Sequence, residues 1–140
     1  MAAENRPISD ISYRQYLEEE TLMGSKCGSC GRVYAPPRQI CIHCHSSQMQ
    51  WNPLSGNGTL AAFTCIAIGP PSMAALGYGR ENPYCSGVVE LVEGGRVDAR
   101  IEGVDAGNPE SILVGMPLKV RFLHEGENGV SLAFEPRDPV

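Results

Sequence analysis

The stretch CGSCGRVYAPPRQICIHC, residues 27–44, decides how this chain is built. Cys27 and Cys30 make one C-x-x-C pair, Cys41 and Cys44 a second, with ten residues between the pairs. Two residues between cysteines let one tight turn aim both sulfurs at a common point. Two such turns supply the four thiolates of a closed tetrahedral zinc site. Gly31 directly follows Cys30, where a knuckle turn needs the positive φ that glycine accepts. Four protein ligands leave no open position, so the ion holds structure and performs no hydrolysis. The chemistry must be sought elsewhere in the chain.

Two rival readings of the cysteines are weaker. Paired disulfides need an oxidising compartment. The opening MAAENRPISD has no basic start followed by an apolar run, so a reducing cytoplasm is expected. The string CIHCH, residues 41–45, matches a haem-attachment motif. That motif needs export, and it leaves Cys27 and Cys30 without a role. His43 and His45 are read as solvent-facing turn residues, because four thiolates already complete the shell. Cys65 and Cys85 sit in apolar runs and read as buried core thiols.

With 140 residues the chain is one compact unit, or a small domain with a zinc-stapled appendage. No apolar run has the length to cross a membrane. A net charge of −5 argues against a general nucleic-acid binder. The charge is uneven, however. Gly24 to Trp51 holds Lys26, Arg32 and Arg38 and no carboxylate. These cations can balance a zinc–tetrathiolate centre of formal charge −2 or meet an anionic ligand.

Around the zinc stretch the chain divides into three: an N-terminal helical segment 1–24, a zinc module 25–52 and a β-rich domain 53–140. Ser9 or Asp10 caps a helix expected to run to about Met23, with Gly24 as its stop. Ile11, Tyr13, Tyr16, Leu17 and Leu22 give it an apolar side, either docked on its own domain or offered to a partner. Pro36-Pro37 keeps the loop between the knuckles extended. Trp51 is expected to pack the zinc module on the next domain. After a turn at Gly56-Asn57-Gly58, five strands are predicted. They are Thr59–Ile68, Tyr84–Val92, Arg96–Ile101, one in which Leu118, Val120 and Phe122 alternate, and one in which Val130, Leu132 and Phe134 alternate. Glu93-Gly94-Gly95 is a hairpin turn, residues 103–111 a polar loop, residues 125–129 a turn, and EPRDPV a frayed tail. Five short strands in about 80 residues predict a small closed barrel, an OB-fold or an SH3-like barrel.

Other marks complete a pattern. C-G-S-C-G (27–31), Ala35-Pro36-Pro37-Arg38, Cys41-x-x-Cys44, Trp51, Ser55-Gly56-x-Gly58-Thr59 and Phe63-Thr64 follow one another. Then come Pro83-Tyr84, Gly94-Gly95, Val114-Gly115-Met116-Pro117 and Phe134-x-Pro136. This ordered combination resembles the DUF35 family and spans nearly the whole chain. Ile42 stands where many members carry proline. The resemblance implies a mainly β fold: an N-terminal helix, a rubredoxin-like zinc ribbon and a C-terminal five-stranded OB-fold. It also implies a non-catalytic accessory subunit that helps form an acyl-CoA site. The partner would be a thiolase, a thiolase-like aldolase or a hydroxymethylglutaryl-CoA synthase-like enzyme, and would carry the catalytic cysteine. A degradative thiolase is the preferred partner.

The residues themselves give little sign of catalysis. G-x-S-x-G, H-E-x-x-H and a phosphate-cradling glycine loop are absent from the sequence. Cys65 or Cys85 with a histidine is a weak nucleophile pair, and His124 reads as a surface-turn residue. Function is placed instead on residues 69–83, GPPSMAALGYGRENP, a long connection for so small a barrel. Met73, Leu76 and Tyr78 are apolar groups for a partner or a pantetheine channel. Arg80 offers a cation, as does Arg38 beside the zinc. Lys119 and Arg121 are further candidates for the phosphates of coenzyme A. The alternative function is a nucleic-acid-binding zinc-ribbon/OB module.

Overall fold

The computed structural model describes residues 6–124 and 129–137. The first element, α1, spans Asp10–Glu18. Ser9 caps it from an extended backbone, its hydroxyl accepting the Ser12 N–H at 3.2 Å. The helix stops five residues before the expected Met23. The Thr21 N–H bonds to the Tyr16 carbonyl and the Glu20 N–H to the Leu17 carbonyl, both at 2.9 Å. Glu20 takes the left-handed conformation between them, with φ 60°, so it fills the place a glycine normally takes in this C-cap.

Gly24 is therefore not a helix stop but part of a strand. A Cβ at Gly24 would run into the Tyr34 carbonyl oxygen and the Leu54 side chain, so the glycine lets neighbouring backbone come close. That strand, β1 (Met23–Cys27), is central in a three-stranded antiparallel sheet between β2 (Val33–Tyr34) and β3 (Met49–Pro53).

The second half is a closed barrel of β4 (Asn57–Ile66), β5 (Tyr84–Leu91), β6 (Arg96–Ile101), β7 (Pro117–His124) and β8 (Val130–Pro136). The order is β4-β5-β6-β8-β7, with β7 closing on β4. All contacts are antiparallel except β6–β8, where Ile101 lies beside Phe134. This is the OB-fold arrangement. The long apolar run is a bent barrel strand: the β4–β5 register shifts between Leu60 and Ala62, which bends the strand around the barrel. β4 takes in Asn57 and Gly58, read as a turn, and ends at Ile66, leaving Ile68 exposed. Residues 69–83 are not wholly irregular, since Pro71–Ala75 form a short helix, α2. Pro109–Ser111 form a single 3-10 turn in the polar loop. The predicted turn lies outside the described residues except at Gly129, and so do residues 138–140 of the tail. Glu135 and Pro136 are not frayed but complete β8, paired with Lys119 and Leu118, and the Arg137 N–H donates to the Pro117 carbonyl at 3.0 Å.

Strict alternation fails in the last two strands. Leu123 and Ala133 are buried as well as Leu118, Val130 and Phe134, while Val120, Phe122 and Leu132 are half-buried. Helix α1 packs on β8, so that strand is covered on more than its barrel face.

One apolar cluster joins Leu17 of α1, Leu22, Ala35 of the ribbon, and Leu60, Val89, Leu118 and Phe134 of the barrel. The helix thus docks within its own chain, though Ile11 stays 67% exposed. Trp51, expected to pack the zinc module on the next domain, has its ring contact with the helix. It packs edge-on to Tyr16 of α1 at 5.0 Å, and its indole N–H donates to the Arg6 carbonyl at 2.9 Å. The Arg6 guanidinium lies 4.3 Å from the Tyr16 ring centroid. Ribbon and barrel meet at the β5–β6 turn. A Cβ on Gly95 would lie 2.6 Å from Ala35, and the Glu93 carboxylate accepts the Ser55 N–H at 2.8 Å.

Candidate metal centre and partner-facing loop

Cys27 ends β1, and the chain turns back at once. The Gly31 N–H donates to the Cys27 carbonyl at 2.9 Å, and the Cys27 N–H to the Arg32 carbonyl at 2.8 Å. The second knuckle repeats the first. The His45 N–H donates to the Cys41 carbonyl and the Cys41 N–H to the Ser46 carbonyl, both at 2.9 Å. Gly31 and His45 occupy the same position in the two turns, with φ 83° and 64°.

All four sulfurs lie within 4.8 Å of one another. The Cys27–Cys44 and Cys30–Cys41 sulfur pairs are 3.5 Å apart. Zn–S bonds of about 2.3 Å in a tetrahedron place sulfurs about 3.8 Å apart, so the cage fits zinc with little adjustment. It is the one such cluster among the described residues. His43 and His45 are exposed and lie outside it. Zinc held by these four sulfurs would clamp the two knuckles with a full shell and offer no site for water or substrate.

The surroundings favour the thiolate at Cys27 and Cys41, while burial and the crowding of the other sulfurs raise the Cys30 and Cys44 thiols. Backbone N–H groups of Ser29 and Cys30 point at Cys27 Sγ from 3.4 Å, and that of Cys44 at Cys41 Sγ from 3.5 Å. The Cys30 N–H chiefly holds the Cys27 thiol below its ordinary value. The Tyr34 hydroxyl lies 3.3 Å from Cys41 Sγ and chiefly holds that thiol down at about 5. The same hydroxyl oxygen accepts the Ile42 N–H at 3.1 Å. Sequence reading missed Tyr34, although an aromatic hydroxyl between two knuckles was visible. Tyr34→Phe should weaken zinc affinity by about 10–100-fold with the fold kept. A chelator competition on the two proteins checks this.

Arg38 sits on the loop between the knuckles. Its backbone is clasped by the buried Ser25, whose hydroxyl accepts the Arg38 N–H at 2.8 Å and faces its carbonyl at 3.2 Å. Its side chain is exposed. Pro37 and Gln39 on either side help line a cleft of about 280 Å³ with Ile8, Tyr13 and Pro36. The Gln39 side-chain amide donates to the Ile8 carbonyl at 2.6 Å. Burial raises the Tyr13 phenol above its ordinary value.

The other four candidates lie on the loop between β4 and β5. Two of the four fold back on the barrel. Arg100 of β6, with a side chain only 9% exposed, pairs with Glu102 at 2.9 Å. Arg100 Nη1 lies 3.7 Å from Met73 Sδ, and its guanidinium carbon 5.2 Å from the Tyr78 ring centroid. Tyr78 in turn meets Tyr84 edge-on at 5.3 Å. Leu76, 40% exposed, and Arg80 are left facing outward. Arg100 was not among the sequence candidates. Its link to Met73 runs across 27 residues, and only the fold reveals it.

Lys119 and Arg121 both pair with Glu135, at 3.6 and 3.3 Å. Arg38 and Arg80 have no carboxylate partner among the described residues. His124 does not stand alone, because Glu20 lies 2.8 Å from its ring. Cys85 is buried as expected, whereas Cys65, opposite it in the register, is half-buried. No helix among the described residues is long and apolar enough to cross a membrane.

Known proteins share this arrangement. Residues 14–50 match the family described as ChsH2, rubredoxin-like zinc ribbon domain, and residues 51–123 that described as ChsH2, C-terminal OB-fold domain. A DUF35 domain-containing scaffold protein of Methanocaldococcus jannaschii is 31% identical, the alignment covering 85% of this chain and 82% of that one. Benzoylsuccinyl-CoA thiolase subunit BbsA of Thauera aromatica is 32% identical over 59% of this chain and 52% of its own. A chain in the solved Ltp2-ChsH2(DUF35) aldolase superposes with a TM-score of 0.76 at 26% identity, covering 97% of this chain and 98% of that one. With the cage, the barrel and these likenesses in agreement, the chain belongs to the DUF35 family, in the form that joins a ChsH2-type rubredoxin-like zinc ribbon to an OB-fold.

Proposed function

We propose that this chain is a non-catalytic accessory subunit of a thiolase-type acyl-CoA complex, active in the cytoplasm in a degradative CoA-thioester pathway. The observation that carries the reading is the likeness to the chain of the Ltp2-ChsH2(DUF35) aldolase over almost the full length of both. The likeness to a benzoylsuccinyl-CoA thiolase subunit points the same way. The closed thiolate cage agrees with it, since a metal with a full shell supports structure and not turnover. The catalytic cysteine then belongs to the partner.

Two regions of this chain suit that role. The loop 67–83 presents Leu76 and Arg80 to a partner, with Met73 and Tyr78 bracing it on Arg100. On the ribbon, Arg38 stands beside an apolar cleft. A pantetheine arm needs an apolar wall, and the coenzyme phosphates need cations. Arg38 and Arg80 are the cations assigned to an acyl-CoA shared with the partner.

Affinity purification of the tagged chain from its native cell tests this. A thiolase-like protein should co-purify, and thioester turnover should need both proteins. Alanine at Met73, Leu76 and Tyr78 together should cut recovery of that partner by about tenfold or more with zinc content unchanged. Recovery of nucleic acid in place of a thiolase, or thioester turnover by this chain alone, sinks the proposal.

A further inference from the structure

The zinc centre uses four of the six cysteines. The other two, Cys65 on β4 and Cys85 on β5, are direct cross-strand partners in the antiparallel register. Opposed residues in such a pair have Cα atoms about 4.5–5.5 Å apart, inside the span a disulfide bridges. Their side chains share one face of the sheet, and the two sulfurs are in contact at 2.8 Å. Their surroundings differ. Cys85 is 1% exposed within the apolar core, while Cys65 is half-buried at the end of β4. Between them lies the whole loop 67–83.

We propose that Cys65 and Cys85 form a dithiol–disulfide couple, a modification site at the root of this loop that takes a hydroperoxide as its oxidant. Cys65 is the attacking thiol because it is the one solvent reaches. Its sulfur attacks one peroxide oxygen and the O–O bond breaks. The departing oxygen leaves as water, or as alcohol from an organic hydroperoxide, carrying the thiol proton. Cys65 is then a sulfenic acid. The Cys85 sulfur attacks the Cys65 sulfur and the S–O bond breaks. The hydroxyl leaves as water with the Cys85 proton, and an S–S bond remains. Two thiols have each given one electron, and one peroxide has been reduced. Burial chiefly pushes the Cys85 thiol up to about 12, with its contact to Cys65 and the charges of Asp105 and Glu102 adding to this. Cys85 thus stays protonated while Cys65 reacts, and its proton leaves only as its sulfur attacks the sulfenic acid. The bond formed would pin the two strands where the loop leaves the barrel. The inference stands on the register and burial of this pair and does not depend on the proposed complex.

The test uses the full zinc-loaded chain, hydrogen peroxide and peptide mapping under non-reducing conditions, with zinc release followed in the same sample. The expected result is a peptide pair joined through Cys65 and Cys85, lighter by two hydrogens than the separate peptides, formed before zinc is released. In Cys65→Ala, loss of alkylatable Cys85 should be about tenfold slower or more. In Cys85→Ala, a sulfenic-acid-trapping diketone should label Cys65. Both cysteines still alkylatable in wild type once the zinc thiolates have oxidised would overturn the proposal. So would a bridge from either of them to a zinc ligand, or equal loss of Cys85 with and without Cys65.

Discussion

Cys41→Ala is expected to abolish zinc binding and unfold the ribbon while the barrel strands persist. Cys41 is fully buried and accepts hydrogen bonds from the Tyr34 hydroxyl and the Cys44 N–H. No other cysteine can take its place, because Cys65 and Cys85 are held in the barrel. The ribbon strands hold five, two and five residues, too few to bury a core of their own. Structural zinc supplies about 10–16 kcal/mol of apparent binding free energy in small zinc modules near neutral pH, and that energy is folding energy. Three thiolates forfeit most of it. The damage should reach the N terminus, because Tyr16 of α1 packs on Trp51 of β3. Elemental analysis should find no stoichiometric metal, and the near-ultraviolet signal of Trp51 should collapse. Chelation of the wild type should give the same spectrum. A variant that keeps zinc and the Trp51 signal would show that the cage does not hold the ribbon.

The second large effect is expected at Phe134. It is the largest fully buried side chain, with no exposure, and it sits where the barrel closes. It lies beside Ile101 in the parallel β6–β8 contact and opposite Val120 on β7, and its carbonyl accepts the Glu102 N–H at 2.8 Å. Phe134→Ala leaves a cavity that these strands cannot collapse into without breaking closure. The cost should be about 3–5 kcal/mol, a large part of the roughly 5–15 kcal/mol that holds such a domain together. Urea unfolding of the zinc-loaded protein should show the midpoint falling by about 2 M at an unchanged slope. A loss under about 1 kcal/mol would mean the core lies elsewhere. Because Leu17 and Leu22 belong to the same apolar cluster as Phe134, the packing of the N-terminal segment on the barrel should loosen with it.

How much of this was legible in advance depends on the range of the interaction. The four-cysteine cluster was, because a C-x-x-C turn places its sulfurs through local geometry. The barrel strands were nearly so, because turn glycines bound them and side chains alternate with a period of two. The end of α1 was not. Its cap uses Glu20 in a conformation normally left to glycine, and Gly24 serves a close approach to Tyr34 that no local pattern marks. In the loop 67–83 the sequence showed apolar groups without a periodic role. Which of them face inward depends on Arg100, brought there by strand pairing.

Taken alone, the sequence determined the two cysteine knuckles and the mainly β character of the second half, because each is written in contacts between near neighbours. Tertiary structure decided that Trp51 serves the helix, that Met73 and Tyr78 rest on Arg100 and leave Leu76 and Arg80 outward, and that Cys65 faces Cys85. Those outcomes depend on chain segments many residues apart meeting in one register, and a register is set only when the whole barrel closes.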